Sequence, residues 1–118
     1  MPIGIPLYRA VSPAEMADII AIGRFRCHPA GRSREGKWFA ERLGAAVLFG
    51  RRLIYAIEGQ PFHVVQVVVR RELTERMFRV ANLDGAGPCC YADTVMLDTI
   101  AAEHAIISEV TAIPIDAL

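Results

Sequence analysis

The run Phe62-His63-Val64-Val65-Gln66-Val67-Val68-Val69-Arg70 reads as a buried strand, valine-rich and closed off by Gly59-Gln60-Pro61 on one side and by charged residues on the other. A strand so nearly continuous in apolar residues belongs inside a sheet, so the segments around it are read as what flanks it. Upstream, Ile5 to Val11 is apolar and β-prone and makes a first strand carrying Tyr8 and Arg9. Ser12-Pro13-Ala14-Glu15 then forms a capping-box signature, with Ser12 as N-cap, Pro13 at the first helical position and Glu15 reaching back. Met16, Ile19 and Ile20 follow at helical spacing as a buried stripe, and Gly23 stands where a C-cap is needed.

From Arg24 to Gly36 the chain is basic, contains Pro29 and Gly31, and has no period, which describes an exposed loop bearing Arg24, Arg26, Arg32 and Arg34. Such a loop is ordinarily solvated; its other use would be to hold a target or cofactor phosphates. Lys37-Trp38-Phe39-Ala40 is a short β-prone burst, and Glu41 to Phe49 carries Leu43, Ala46 and Val47 at helical offsets that extend through Leu53 or Ile54. Downstream, Asn82 to Pro88 is turn chemistry, Tyr91 to Ile100 has a weak helical pattern, and Glu103 to Ile113 is a second β-branched run expected to be a buried strand. The order β, α, β, α, β, α, β predicts an α+β fold, a sheet or split sandwich with flanking helices rather than a doubly wound parallel sheet. No repeat or linker-like run divides the chain, so a single domain over residues 1–118 is expected.

Thirteen Lys and Arg balance thirteen Asp and Glu, which gives no sign of a general polyanion binder or a disordered tail. No apolar run approaches the ~20 residues of a spanning helix, and the N-terminus lacks a basic-then-apolar signal pattern, so no membrane partner and a cytoplasmic site of action are expected. Cys27, Cys89 and Cys90 are odd in number and read as reduced thiols. Cys27-His28 and Cys89-Cys90 have no chelating spacing, so no metal is expected. A Cys–His nucleophile pair from Cys89 or Cys90 has no supporting signature, and His63 reads as a structural histidine within its strand. Asp84-Gly85-Ala86-Gly87-Pro88 reads as a rigid loop, since no helix-opening Gly-Lys-Ser/Thr follows to make it a phosphate cradle.

Three pieces stand out in order along the chain: Leu7-Tyr8-Arg9-Ala10, Gly36-Lys37-Trp38-Phe39-Ala40-Glu41 and Ala102-Glu103-His104-Ala105-Ile106-Ile107. Taken singly, Trp38 and Phe49 read as core, and Arg9 and Glu103 as surface charges. In this order they resemble the ADP-ribosyltransferase superfamily, with its poly(ADP-ribose) polymerase, DNA-targeting and bacterial-toxin branches. The resemblance implies that Arg9, with Ala10 beside it, contacts NAD. It also implies that Trp38 and Phe39 belong to the aromatic segment, that Phe49, eleven residues beyond Trp38, flanks the nicotinamide, and that Glu103 is catalytic. The chain departs from the family in having Arg9 for the His of the polymerase-like branch and Trp38 for its Tyr, and in lacking the Ser-Thr-Ser segment of the arginine-type branch.

The chemistry is coherent whatever the name. Breaking the bond between nicotinamide and ribose develops positive charge on the sugar, which a fixed carboxylate such as Glu103 stabilises. Two aromatic faces suit the cationic ring, and the Arg9 fork suits a diphosphate or carboxamide. Glu109 is the rival acid and His104 a neighbour able to orient substrate. The resemblance thus implies an ADP-ribosyltransferase-like split β-sandwich using NAD as substrate. It would transfer ADP-ribose to a protein or nucleic-acid target, or hydrolyse NAD, as a bacterial toxin or effector domain, which a neutralising protein would hold in check. Its alternatives are a non-catalytic binding module of the same fold and an NAD-dependent RNA phosphotransferase-like enzyme.

Overall fold

The period-two alternation of the valine run becomes a strand with both faces covered. In the computed structural model, which describes residues 4–26 and 36–113, β3 (Phe62–Val69) turns Val65, Val67 and Val69 to one core and Phe62 and Val64 to another. It lies between β1 (Ile5–Val11) and β6 (Ile107–Ile113), inside a six-stranded sheet whose neighbouring strands are all antiparallel. With β2 (Gly36–Ala40), β4 (Phe78–Val80) and β5 (Cys89–Asp93), the order is β4-β5-β2-β1-β3-β6. The architecture is α+β, built on this one sheet.

One face is covered by α1 (Pro13–Ile22), α4 (Arg71–Arg76) and α5 (Thr94–Ala102), which bury Ile19, Leu73, Leu97 and Ile100 against Leu7, Val11 and Phe39. The other is covered by α2 (Leu43–Phe49), whose Ala45 and Ala46 meet Ala40, Phe62 and Val64. The helical run continues through a π-helical stretch, Gly50–Tyr55, into α3 (Ala56–Glu58), four residues past the predicted end at Ile54. Gly50 permits this passage, because a Cβ there would run into the Phe62 ring.

The cap of α1 is as the sequence predicts in one half only. The Ser12 hydroxyl oxygen accepts from the Glu15 main-chain N–H at 3.2 Å, and Gly23 closes the helix in the left-handed region at φ 72. The Glu15 carboxylate is bonded instead to Arg9. Ser12→Ala is expected to cost about 1 kcal/mol of stability. Urea unfolding checks it, and an unmoved midpoint would mean that the hydroxyl contributes nothing.

Two segments differ from expectation. Tyr91–Asp93, expected to open a helix, belongs with Cys89 and Cys90 to strand β5, and α5 begins after it with the Asp93 side chain accepting from the Met96 N–H at 2.8 Å. Glu103 to Ile106 is not strand: Glu103 is the C-cap of α5, His104 turns the chain at φ 55, and β6 starts at Ile107. Nor is β6 an interior strand; it is a sheet edge, with Ser108, Glu109 and Val110 exposed. Cys27, His28, Arg32 and Arg34 lie outside the described residues.

Candidate functional site

The sheet has one weak seam. β1 pairs with β3 from Ile5↔Val69 through Val11↔His63, and β2 with β5 from Gly36↔Asp93 through Ala40↔Cys89, yet β1 and β2 share only the register pair Tyr8↔Ala40. Side chains do the joining there. Arg9 on β1 donates from Nε and Nη2 to the two carboxylate oxygens of Glu15, at 2.7 and 3.0 Å, and from Nη1 to the Trp38 carbonyl on β2, at 3.0 Å. Lys37 on β2 lies 3.2 Å from the same Glu15 carboxylate. A single acid on α1 therefore holds cations from both strands.

Burial pushes the Glu15 carboxyl up, but the Arg9 charge and its hydrogen bonds, joined by Lys37, outweigh it and leave the group below its ordinary value of 4.5. It is ionised at neutral pH.

A cleft of about 390 Å³ opens on this seam, within the usual range for a small-molecule site. Aromatic residues come from three elements: Tyr8 of β1, Trp38 of β2 and Phe49 of α2. Ala10, Ala40 and Ala46 keep the space between them open. The Trp38 indole is backed by Tyr91 at 5.1 Å and by the edge of Phe78 at 6.2 Å, which fixes its orientation. Leu53, Ile54 and Leu83 continue the apolar lining, and Ser12, Glu15, Glu58 and Asp84 supply oxygens.

Of the residues singled out in the sequence, Arg9, Ala10, Trp38 and Phe49 line this one cleft. Phe39 does not. It follows Trp38 in a strand and so points to the other face, where it is buried at 1 % exposure with its ring edge-on to Phe25 at 5.0 Å. Glu103 is not among the lining residues either. It sits in the turn after α5, where Arg70 donates to both of its oxygens at 2.8 and 2.6 Å. Those bonds hold its carboxyl below the ordinary value. The rival Glu109 is likewise elsewhere, against His63 across β3 and β6. Arg9 lines the cleft, but its donors are bonded to Glu15 and Trp38, so it braces the site rather than offering a vacant fork.

The other candidates resolve simply. Arg24 pairs with Asp98 and Arg26 with Asp18, as solvated loop charges do. Burial, with Glu41 adding to it, pushes the Cys90 thiol up to about 11, and Cys89 is raised in the same way, so both are protonated and poor nucleophiles near neutrality. Among the described residues no group of three or more His, Cys, Asp or Glu is arranged to hold a metal, and no helix is long and apolar enough to cross a membrane. Sequence reasoning does not find Glu15, Glu58 and Asp84 as cleft residues: it gives Glu15 a capping role and Asp84 a turn role, and nothing local points either of them at the cleft.

No protein-family model, curated protein or solved structure matches this chain.

Proposed function

We propose that the cleft on the β1–β2 seam takes the nicotinamide end of NAD, and that the chain is an ADP-ribosyltransferase or NAD glycohydrolase of the small toxin or effector kind, with the split-sheet fold of that superfamily. The observation that carries the reading is the convergence of Arg9, Ala10, Trp38 and Phe49, from three separate segments, on a single cleft. The single pair joining β1 to β2 supports the idea of a sheet split at its binding site. Nicotinamide is flat and cationic in NAD, and two aromatic faces would add roughly 0.5–2 kcal/mol each to its binding. A carboxylate in the same cleft would favour the positive charge that develops on ribose as the ring departs.

A second reading, a non-catalytic module that binds a nucleotide or partner, is favoured by one specific fact: the acid expected to act, Glu103, lies in a different part of the fold, paired with Arg70. Incubating the protein with NAD and cell extract and following nicotinamide release separates the two. Release supports the enzyme; tight NAD binding with no release supports the module; neither binding nor release overturns both.

Trp38→Ala is the probe of the cleft. It is expected to weaken NAD at least tenfold by calorimetry, about 1.4 kcal/mol or more. Unchanged affinity in the folded variant would show that the indole faces no ligand.

A further inference from the structure

With Glu103 outside the cleft and Glu15 committed to Arg9 and Lys37, the question is which carboxylate the cleft presents to a ligand. Two lining acids have side chains without a hydrogen-bond or ion-pair partner among the described residues, Asp84 and Glu58. They differ in how they are held. Both are exposed, but Glu58 ends the three-residue α3 on the longer side chain. Asp84 lies in the short 3-10 turn Leu83–Gly85, at φ 50 and ψ 33, a left-handed conformation that few residues other than Gly, Asn and Asp adopt.

The Asp84 turn is tied from several sides. Leu83 N–H donates to the Gly87 carbonyl at 3.0 Å, Ala86 N–H to the Leu83 carbonyl at 2.9 Å, and Gly87 N–H to the Asn82 side-chain oxygen at 3.1 Å. Arg52, from the π-helical stretch Gly50–Tyr55, donates to the carbonyl of Asp84 itself at 2.8 Å. The main chain of Asp84 is thus fixed relative to the helix that carries Phe49, while its carboxylate is left unpaired. On a tied main chain the shorter Asp84 side chain has fewer torsions to restrict on meeting an opposite charge than Glu58 has, which favours it as the charge the cleft presents.

We propose that Asp84 is the carboxylate that recognises the positive charge of the ligand, so that the cleft selects a cationic aromatic ring over its neutral counterpart. This deepens the NAD reading and rests on it. Trp38 lends the cleft an aromatic surface and Asp84 a negative charge, and the oxidised, cationic form of a nicotinamide is favoured by both. Its reduced or unalkylated form is favoured by the aromatic surface alone.

The test uses fragments that share a ring and a carboxamide but differ in charge, 1-methylnicotinamide and nicotinamide. Trp38 is the only tryptophan in the chain, so its fluorescence quenching reports occupancy of the cleft directly. Wild type is expected to bind the cation about tenfold more tightly than the neutral ring. Asp84→Asn, which keeps the left-handed turn accessible, is expected to abolish that preference while leaving neutral nicotinamide unchanged; Glu58→Gln is expected to keep it. If wild type binds NAD and both fragments but Asp84→Asn retains the preference, or Glu58→Gln loses it, the assignment to Asp84 is wrong and the NAD reading stands. If wild type binds neither NAD nor either fragment, the reading of the cleft fails and the assignment with it.

Discussion

Phe39→Ala is expected to lower the stability of the fold by about 3–5 kcal/mol while leaving unchanged, in the molecules that remain folded, the NAD affinity proposed for the cleft. The residue is at 1 % exposure, meets Phe25 edge to face, and lies in the core formed by β1, β3, α1 and α5, on the side of the sheet away from the aromatic cleft. Truncation removes a full ring from a well-filled site and leaves a cavity; against a total stability of order 5–15 kcal/mol, that is a large share. Urea unfolding measures the first quantity, and calorimetry on the folded fraction the second. A small loss of stability with a large loss of NAD affinity would mean that Phe39 and not Trp38 faces the ligand. Trp38 lines the cleft, and Phe39 is buried in the other core.

Glu15→Gln is expected to cost about 1–3 kcal/mol at pH 7. Removing one member of a half-buried charge cluster leaves its partners without their counter-charge, and here one acid serves two cations, Arg9 and Lys37. The pH dependence follows from the direction of the shift. The Glu15 carboxyl titrates lower in the folded protein than its ordinary 4.5, so its contribution is fully present above the unfolded value and is lost as pH falls through the folded one. Wild type should therefore lose stability progressively below about pH 5, and the Glu15→Gln protein, already without that contribution, should show a shallower acid limb. Urea midpoints measured across that range check it; parallel curves would show that the charge of Glu15 does not support the fold.

How far the chain could be read in advance depended on whether the signal was local. Ile5–Val11 and the valine strand carry runs of β-prone side chains, and Ser12, Pro13 and Gly23 mark the ends of α1 by chemistry confined to a few bonds. Strand β5 gave no such mark: Cys89, Cys90 and Ala92 are small and buried on both sheet faces, so the run lacks alternation, and Tyr91 to Ile100 also fits a helix. β4 is three residues long with Phe78 and Arg79 exposed, too short to show a period. Glu103 was placed at the head of a strand because β-branched residues follow it, yet α5 runs on to Ala102 and spends that position on a cap.

The site was legible in the same uneven way. Order along the chain brought out Arg9, Ala10, Trp38 and Phe49, which the fold gathers into one cleft. The clamp of Arg9 by Glu15 and the approach of Asp84 depend on how α1 and the loop after β4 settle over the sheet, and no spacing along the chain encodes those distances.

The seam between β1 and β2 has an evolutionary consequence. Elsewhere in the sheet the strands are joined by main-chain hydrogen bonds, which are blind to side-chain identity, so a point mutation can weaken a strand but cannot easily change its distance from its neighbour. Across the seam the joining is done largely by Arg9, Glu15 and Lys37, whose reach is set by the length and charge of three side chains. The width of the cleft is therefore set by side chains that single substitutions can lengthen, shorten or discharge, while the ladders on either side stay as they are.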